Sequence, residues 1–214
     1  MEMEYLADFD IDLRSVKKHY IRRKAISEQL TQLLKAHADG EYVKLAVGVS
    51  NPLANYSAHE HQLGPRILDN NSISAVFCLA QHLADPNLKV THVPRTIYNA
   101  NIQYLKISVG SEIACLLQPN RFWVGNARTI WSHLLIKHKG DVRRANEELS
   151  LYRIDDVSSE MNYQIWRDIY LSMEHSLKVI GRIAEEWAQE QNVKPGRLKY
   201  IWIDALCSAL YESE

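Results

Sequence analysis

Apolar positions recur along this chain with two different periods, and the periods divide it into elements. Between residues 13 and 38, Val16, Tyr20, Ile21, Leu30, Leu33 and Leu34 form a rough helical stripe that Asp39-Gly40 closes. Residues 42–49, YVKLAVGV, read as a short strand ended by Asn51-Pro52. The run SISAVFCLAQHLA over 72–84 reads as a compact apolar helix closed by Asp85-Pro86. From Asn101 the pattern changes to alternation. Leu105, Ile107 and Val109 are apolar, while Tyr104, Lys106 and Ser108 carry polar tips. Side chains alternate across a strand, so this predicts one buried and one outward face.

Gly110-Ser111 then breaks the alternation, and Ser111 can cap a short helix with Glu112 in its first turn. Pro119 would end or kink that helix early. Asn126 can cap a second helix, in which Ala127, Ile130, Trp131, Leu134 and Leu135 share one face. Gly140-Asp141 stops it and starts another short helix, DVRRANEELSLYR. A long helix follows from about 159 to 191. Its Trp166, Tyr170, Met173, Leu177, Ile180, Ala184 and Trp187 are spaced alternately by four and three. Such a seam serves either a dimer or packing inside one subunit, and packing inside the subunit is favoured. Pro195-Gly196 begins the last helix, whose apolar face includes Leu198, Ile201, Trp202, Ala205, Leu206, Ala209 and Leu210.

The order strand, helix, helix over 102–139 reads as a ribbon-helix-helix module. The expected fold class is therefore mainly α, formally α+β, with that module embedded among additional helices. One domain spans 1–214, with N-terminal helices and a short strand over 1–101 and C-terminal helices over 141–214. A single strand leaves its backbone groups unpaired, so the module predicts a homodimer in which two strands form a ribbon. Such a ribbon fits the major groove of double-stranded DNA. Tyr104, Lys106 and Ser108 would then face base edges. Gly125 and Asn126, at the start of the second helix, would offer amides to a phosphate, with Arg121 and Arg128 as further anchors. The plainer alternative is a strand and two helices inside an ordinary α+β core.

Composition adds a charge argument. The chain is 46% hydrophobic and 24% charged with a net charge of −1, so bulk adhesion to nucleic acid is not expected. Its distribution is uneven. Glu2, Glu4, Asp8, Asp10 and Asp12 precede Arg14, Lys17, Lys18, Arg22, Arg23 and Lys24. Between 102 and 144 seven basic residues oppose only Glu112 and Asp141, which fits a basic module in a neutral protein.

Little in the sequence points to catalysis. There is no phosphate-binding glycine loop, no dinucleotide fingerprint and no nucleophile elbow, and no pair of carboxylates is marked as acid and base. His59-Glu60-His61 has no matching ligand pair at zinc-finger spacing, so no metal and no cofactor is expected. Cys78, Cys115 and Cys207 lie in apolar helical patterns and are expected to be free buried thiols. No apolar run suits a bilayer, and the acidic N-terminus lacks a signal-peptide layout, so a cytoplasmic location is expected.

Four phrases, VGVSNPLANYSAHEHQLGPRILD, YLKISVGSEIACLLQP, RFWVGNARTIWSHL and RLKYIWIDALCSALYE, resemble the AcaB family. These are regulators carried by conjugative plasmids and integrating conjugative elements. The resemblance runs from about Val47 to Tyr211. It implies a transcriptional activator of conjugative transfer genes that binds promoter DNA through a ribbon-helix-helix, with RNA polymerase as a candidate partner. It assigns no residue to DNA; those assignments come from the ribbon pattern. On that pattern Lys106→Ala should cost about 1–3 kcal/mol of specific binding. The alternatives are a relaxosome or conjugation accessory protein that binds at a transfer origin, and a helical scaffold that binds no DNA.

Overall fold

A computed structural model describes Leu6, residues 9–152 and residues 160–214. The acidic positions Glu2, Glu4 and Asp8, the end of the short helix read over DVRRANEELSLYR, and the start near 159 of the long helix lie outside the described residues. Among the described residues the chain is helical and contains no strand. The first helices are α1 (Leu13–Lys35), α2 (Asp39–Ala46), α3 (Tyr56–Glu60), α4 (Leu63–Asn70), α5 (Ile73–Ala84) and α6 (Val93–Asn99). Then come α7 (Ile107–Leu117), α8 (Ala127–Lys137), α9 (Val142–Ser150), α10 (Glu160–Glu190) and α11 (Lys199–Glu212).

The chain divides into two compact units. A central unit comprises Ile21–Asn126, and a terminal unit joins the described part of 1–20 to Ala127–Glu214. The first division falls within α1. The second falls between α7 and α8, so the stretch read as one module contributes to both units.

In the central unit α7 packs against α3, α5 and α6. Every residue from Ile107 to Leu116 except Ser108 is buried. This corrects the α+β class and the ribbon-helix-helix. The alternation of Leu105, Ile107 and Val109 is not a strand signal, because a helix covered on all sides shows apolar residues at every spacing. Gly110, read as a breaker, is a contact site: a Cβ there would sit 2.8 Å from the Ile97 side chain. Residues 101–104 form a turn, with Asn101 and Tyr104 at φ of 49° and 63°. Asn71 closes it by accepting from the Gln103 amide (2.8 Å) and donating to the Gln103 carbonyl (3.0 Å).

The strand expected over 42–49 is likewise helical. α2 ends in a Schellman turn: Gly48 adopts φ of 74°, its N–H donates to the Leu45 carbonyl, and the Val49 N–H donates to the Lys44 carbonyl. YVKLAVGV is β-branched enough to suggest a strand, but Tyr42, Val43, Leu45 and Ala46 are buried at helical spacing.

A charged centre holds the central unit together. Glu112 of α7 is fully buried. It accepts from the amides of Tyr56 and Ser57 (2.9 Å each), the Ser57 hydroxyl (2.8 Å), Asn126 Nδ2 (3.2 Å) and Arg23 Nη1 (3.3 Å). The same Arg23 nitrogen donates to the Leu53 carbonyl at 2.7 Å. Asn55 caps α3 and donates to the carbonyls of Ala46 and Val109.

In the terminal unit α8 packs against α9, α10 and α11, and α10 packs against α11. Tyr170, Met173, Leu177, Ile180 and Ala184 of the heptad stripe are buried within this unit. Trp131 sits in the core, with Phe9 and Tyr211 edge-on and its indole N–H donating to Asn146 Oδ1 at 2.8 Å.

Candidate anion-binding groove

The terminal unit carries a groove of about 750 Å³ along α10 and the start of α11. Its charge arises from spacing. His175, Lys178 and Arg182 stand three and four residues apart on α10, and so share one face. Arg197 and Lys199 approach from the turn into α11. Glu185 is the one carboxylate among the described residues that line the groove. Lys178 also pairs with Glu174 at 2.7 Å, on the exposed side of α10. Val179, Gly181, Gly196, Trp202 and Ile203 complete the lining.

Tyr20 holds the α10–α11 turn in place. Its hydroxyl accepts from the amides of Arg197 (3.0 Å) and Leu198 (3.2 Å). Its ring lies where a Cβ on Gly196 would fall, 2.5 Å from the nearest ring carbon, so only glycine fits. Lys17 Nζ donates to the Pro195 carbonyl at 3.3 Å, and Gln191 bonds the Leu13 amide and the Ile11 carbonyl. Burial, and then the Lys194 charge, push the Lys17 ammonium below its ordinary pKa. The cations are thus presented by a fixed backbone. Leu198 is the N-cap of α11 and gives no side-chain cap, so the positive end of the helix dipole lies at this turn. Trp202, 3% exposed, packs edge-on against Tyr20 at 5.7 Å, and its Nε1 is shut from solvent with no hydrogen-bond acceptor.

The residues assigned to DNA from the ribbon pattern are divided between the two units, Arg128 in the terminal unit and the others in the central unit. Tyr104 lies in the 101–104 turn under the Arg66 guanidinium, 4.1 Å from its ring centre. Lys106 is half-buried at the N-cap position of α7, and Ser108 is in that helix's first turn. The Arg121 guanidinium donates to the Leu88 carbonyl (2.6 Å) and to Gln118 Oε1. Gln118 Nε2 donates to the Leu83 and Asp85 carbonyls, so this pair secures the end of α5. Gly125 is buried, with its amide donating to Ser111 Oγ at 2.9 Å, and Asn126 is buried on Glu112. Arg128 belongs to the terminal unit and pairs with Glu212 at 3.5 Å. Of the basic run 14–24, Arg14, Lys18 and Arg22 are exposed, whereas Arg23 is buried and Lys24 pairs with Glu28.

Among the described residues no group of three or more His, Cys, Asp or Glu could hold a metal ion. His59 and His61 are exposed at the end of α3. All three cysteines are free, but Cys78 is exposed on α5 rather than buried. Burial pushes the Cys207 thiol up to about 12, so it is not a nucleophile at neutral pH. No described helix is long and apolar enough to cross a membrane.

The apolar seam of α10 dominates the helix's sequence pattern and masks the groove. Its signal was nonetheless present, in His175, Lys178 and Arg182 on one helix face and Arg197 and Lys199 beyond Pro195-Gly196. Compared with known protein families, curated proteins and solved structures, the chain finds no match.

Proposed function

We propose that this chain is a DNA-binding transcriptional regulator, acting in the cytoplasm, and that the α10–α11 groove is its phosphate-contacting surface. One observation carries the reading: Lys178, Arg182, Arg197 and Lys199 converge on one groove, where Glu185 is the only lining carboxylate among the described residues. Phosphate contacts supply most of the affinity for duplex DNA and fix the protein's orientation on it. Among the described residues that line the groove the one aromatic ring, Trp202, is buried and gives bases of a single strand nothing to stack on, which favours a duplex. The resemblance to AcaB-type regulators supplies the conjugative setting, with promoter DNA as the target. The homodimer rested on the ribbon; the groove requires no second chain.

The test is titration of a labelled duplex at several salt concentrations. The parent should bind with an affinity that falls steeply with salt. Arg182→Ala with Arg197→Ala should flatten the slope of log affinity against log salt by roughly 2, one for each lost phosphate contact. A parent that binds no duplex at low salt would favour the helical scaffold. Binding confined to a transfer origin would favour the relaxosome accessory role.

A further inference from the structure

Positive charge continues past the end of the groove. Lys17 of α1 and Lys194 of the α10–α11 turn are not among the residues that line it, yet they stand at its edge, in the same terminal unit. The Lys17 ammonium lies 3.3 Å from the Pro195 carbonyl, 4.8 Å from the centre of the Tyr20 ring and 5.7 Å from that of Trp202, a groove residue. Lys194 directly precedes Pro195, and Arg197, which lines the groove, follows Pro195 by two positions. Lys194 and Arg197 are exposed, and Lys17 is half-buried.

The two lysines also lack a counter-charge. Lys24, Lys137 and Lys178 each meet a glutamate of the chain at 2.5–2.7 Å. Neither Lys17 nor Lys194 forms an ion pair with a described residue, and the Lys194 charge acts on Lys17 as a repulsion that adds to its burial. Like charges brought together without a carboxylate disfavour the fold, and an anion beside both removes that cost. Lys17 is held for this by a carbonyl and an aromatic ring, on a turn that Tyr20 and Gly196 fix. A single free anion would meet the pair but gain nothing from the groove. A duplex carries closely spaced phosphates, so a strand seated on Arg182 and Arg197 has further phosphates to offer beyond them.

We infer that the DNA-contacting surface extends from the groove over the α10–α11 turn onto α1, with Lys17 and Lys194 holding the next phosphates of the strand. The extension rests on the groove being the DNA-contacting surface. It makes α1 part of the interface and sets the direction in which the strand leaves the groove.

The test compares salt-dependent duplex binding by the full chain with that of Lys194→Gln, of Lys17→Met with Lys194→Gln, and of Arg143→Gln on α9 as a control. Lys17→Met removes the ammonium and keeps an apolar stem over the Tyr20 ring. Lys194→Gln disturbs no bond of the described fold, so its effect reads the contact alone. The slope of log affinity against log salt should flatten by roughly 1 in Lys194→Gln and roughly 2 in the pair, and stay at the parent value in Arg143→Gln. On the parent, reductive methylation of lysine amines, located by peptide mass spectrometry, should be suppressed by duplex at Lys17 and Lys194. Parent-like slopes in both lysine variants, or methylation of both amines unaffected by saturating duplex, would overturn the extension and leave the groove reading standing if Arg182→Ala with Arg197→Ala still flattens the slope. A parent-like slope in that arginine pair, with the lysine variants impaired, would overturn the groove reading and with it the continuous track. A parent that binds no duplex would overturn both.

Discussion

Two buried residues show how environment decides whether a polar side chain holds the fold or carries function. Glu112, expected in the first turn of a helix, lies at the centre of the central unit with five hydrogen-bond donors around its carboxylate. Removing one member of a buried charge pair leaves the other uncompensated, at about 3–5 kcal/mol. Glu112→Ala should therefore destabilise the chain by about that amount in a denaturant titration; a change within 1 kcal/mol, roughly the value of a surface pair, would contradict the role assigned to it. His133 is the second case. Its Nδ1 meets Ser176 Oγ at 2.9 Å, and burial, reinforced by the Lys137 charge, lowers its pKa to about 4. The unfolded chain takes up the proton near 6.5, the folded chain only near 4. This contribution is fully present above pH 6.5 and is lost as pH falls toward 4, in total about 3 kcal/mol. In His133→Gln, melting temperature should depend less on pH across that window.

At the scale of elements, helices with a clear boundary residue were legible. Ser72 caps α5 with its hydroxyl accepting the Ala75 amide, and Asp141 caps α9 through the Arg144 amide. The stripe of α10 and the start of the last helix beyond Pro195-Gly196 also followed from spacing. The two expected strands failed for a shared reason. α2 and α7 are short and buried, so period two and period 3.6 both fit their few apolar positions. The α10–α11 turn was visible as Pro-Gly, but its anchoring by Tyr20, far away in sequence, was not. Tyr20→Phe removes an acceptor shared by two amides and should cost about 1–2 kcal/mol. Gly196→Ala drives a methyl into the Tyr20 ring and should cost about 1–3 kcal/mol. Both should weaken duplex binding in proportion to the disturbance of Arg197. Unchanged binding in a Gly196→Ala protein that melts early would dissociate the turn from the site.

For the whole molecule, charge distribution decides more than the sum. A net charge of −1 conceals a local concentration of cations, because basic residues distant in sequence converge only after α10 and α11 pack. The basic stretch 102–144 looked like one module but is divided between two units, and Arg121 and Arg128 are engaged in bonds within them. Sequence neighbourhood therefore joined residues of two units and hid the cluster on α10 and α11.

The most direct measurement is duplex affinity at one moderate salt concentration for three proteins: the parent, Lys106→Ala, and Arg182→Ala with Arg197→Ala. Thermal melts should confirm that all three are folded. The groove account predicts that Lys106→Ala binds like the parent, since Lys106, at the N-cap position of α7, is not among the residues that line the groove. It predicts that the double substitution weakens binding by about tenfold or more. Loss of binding in Lys106→Ala with the double variant unaffected would contradict the account and return the DNA contact to the 102–109 stretch.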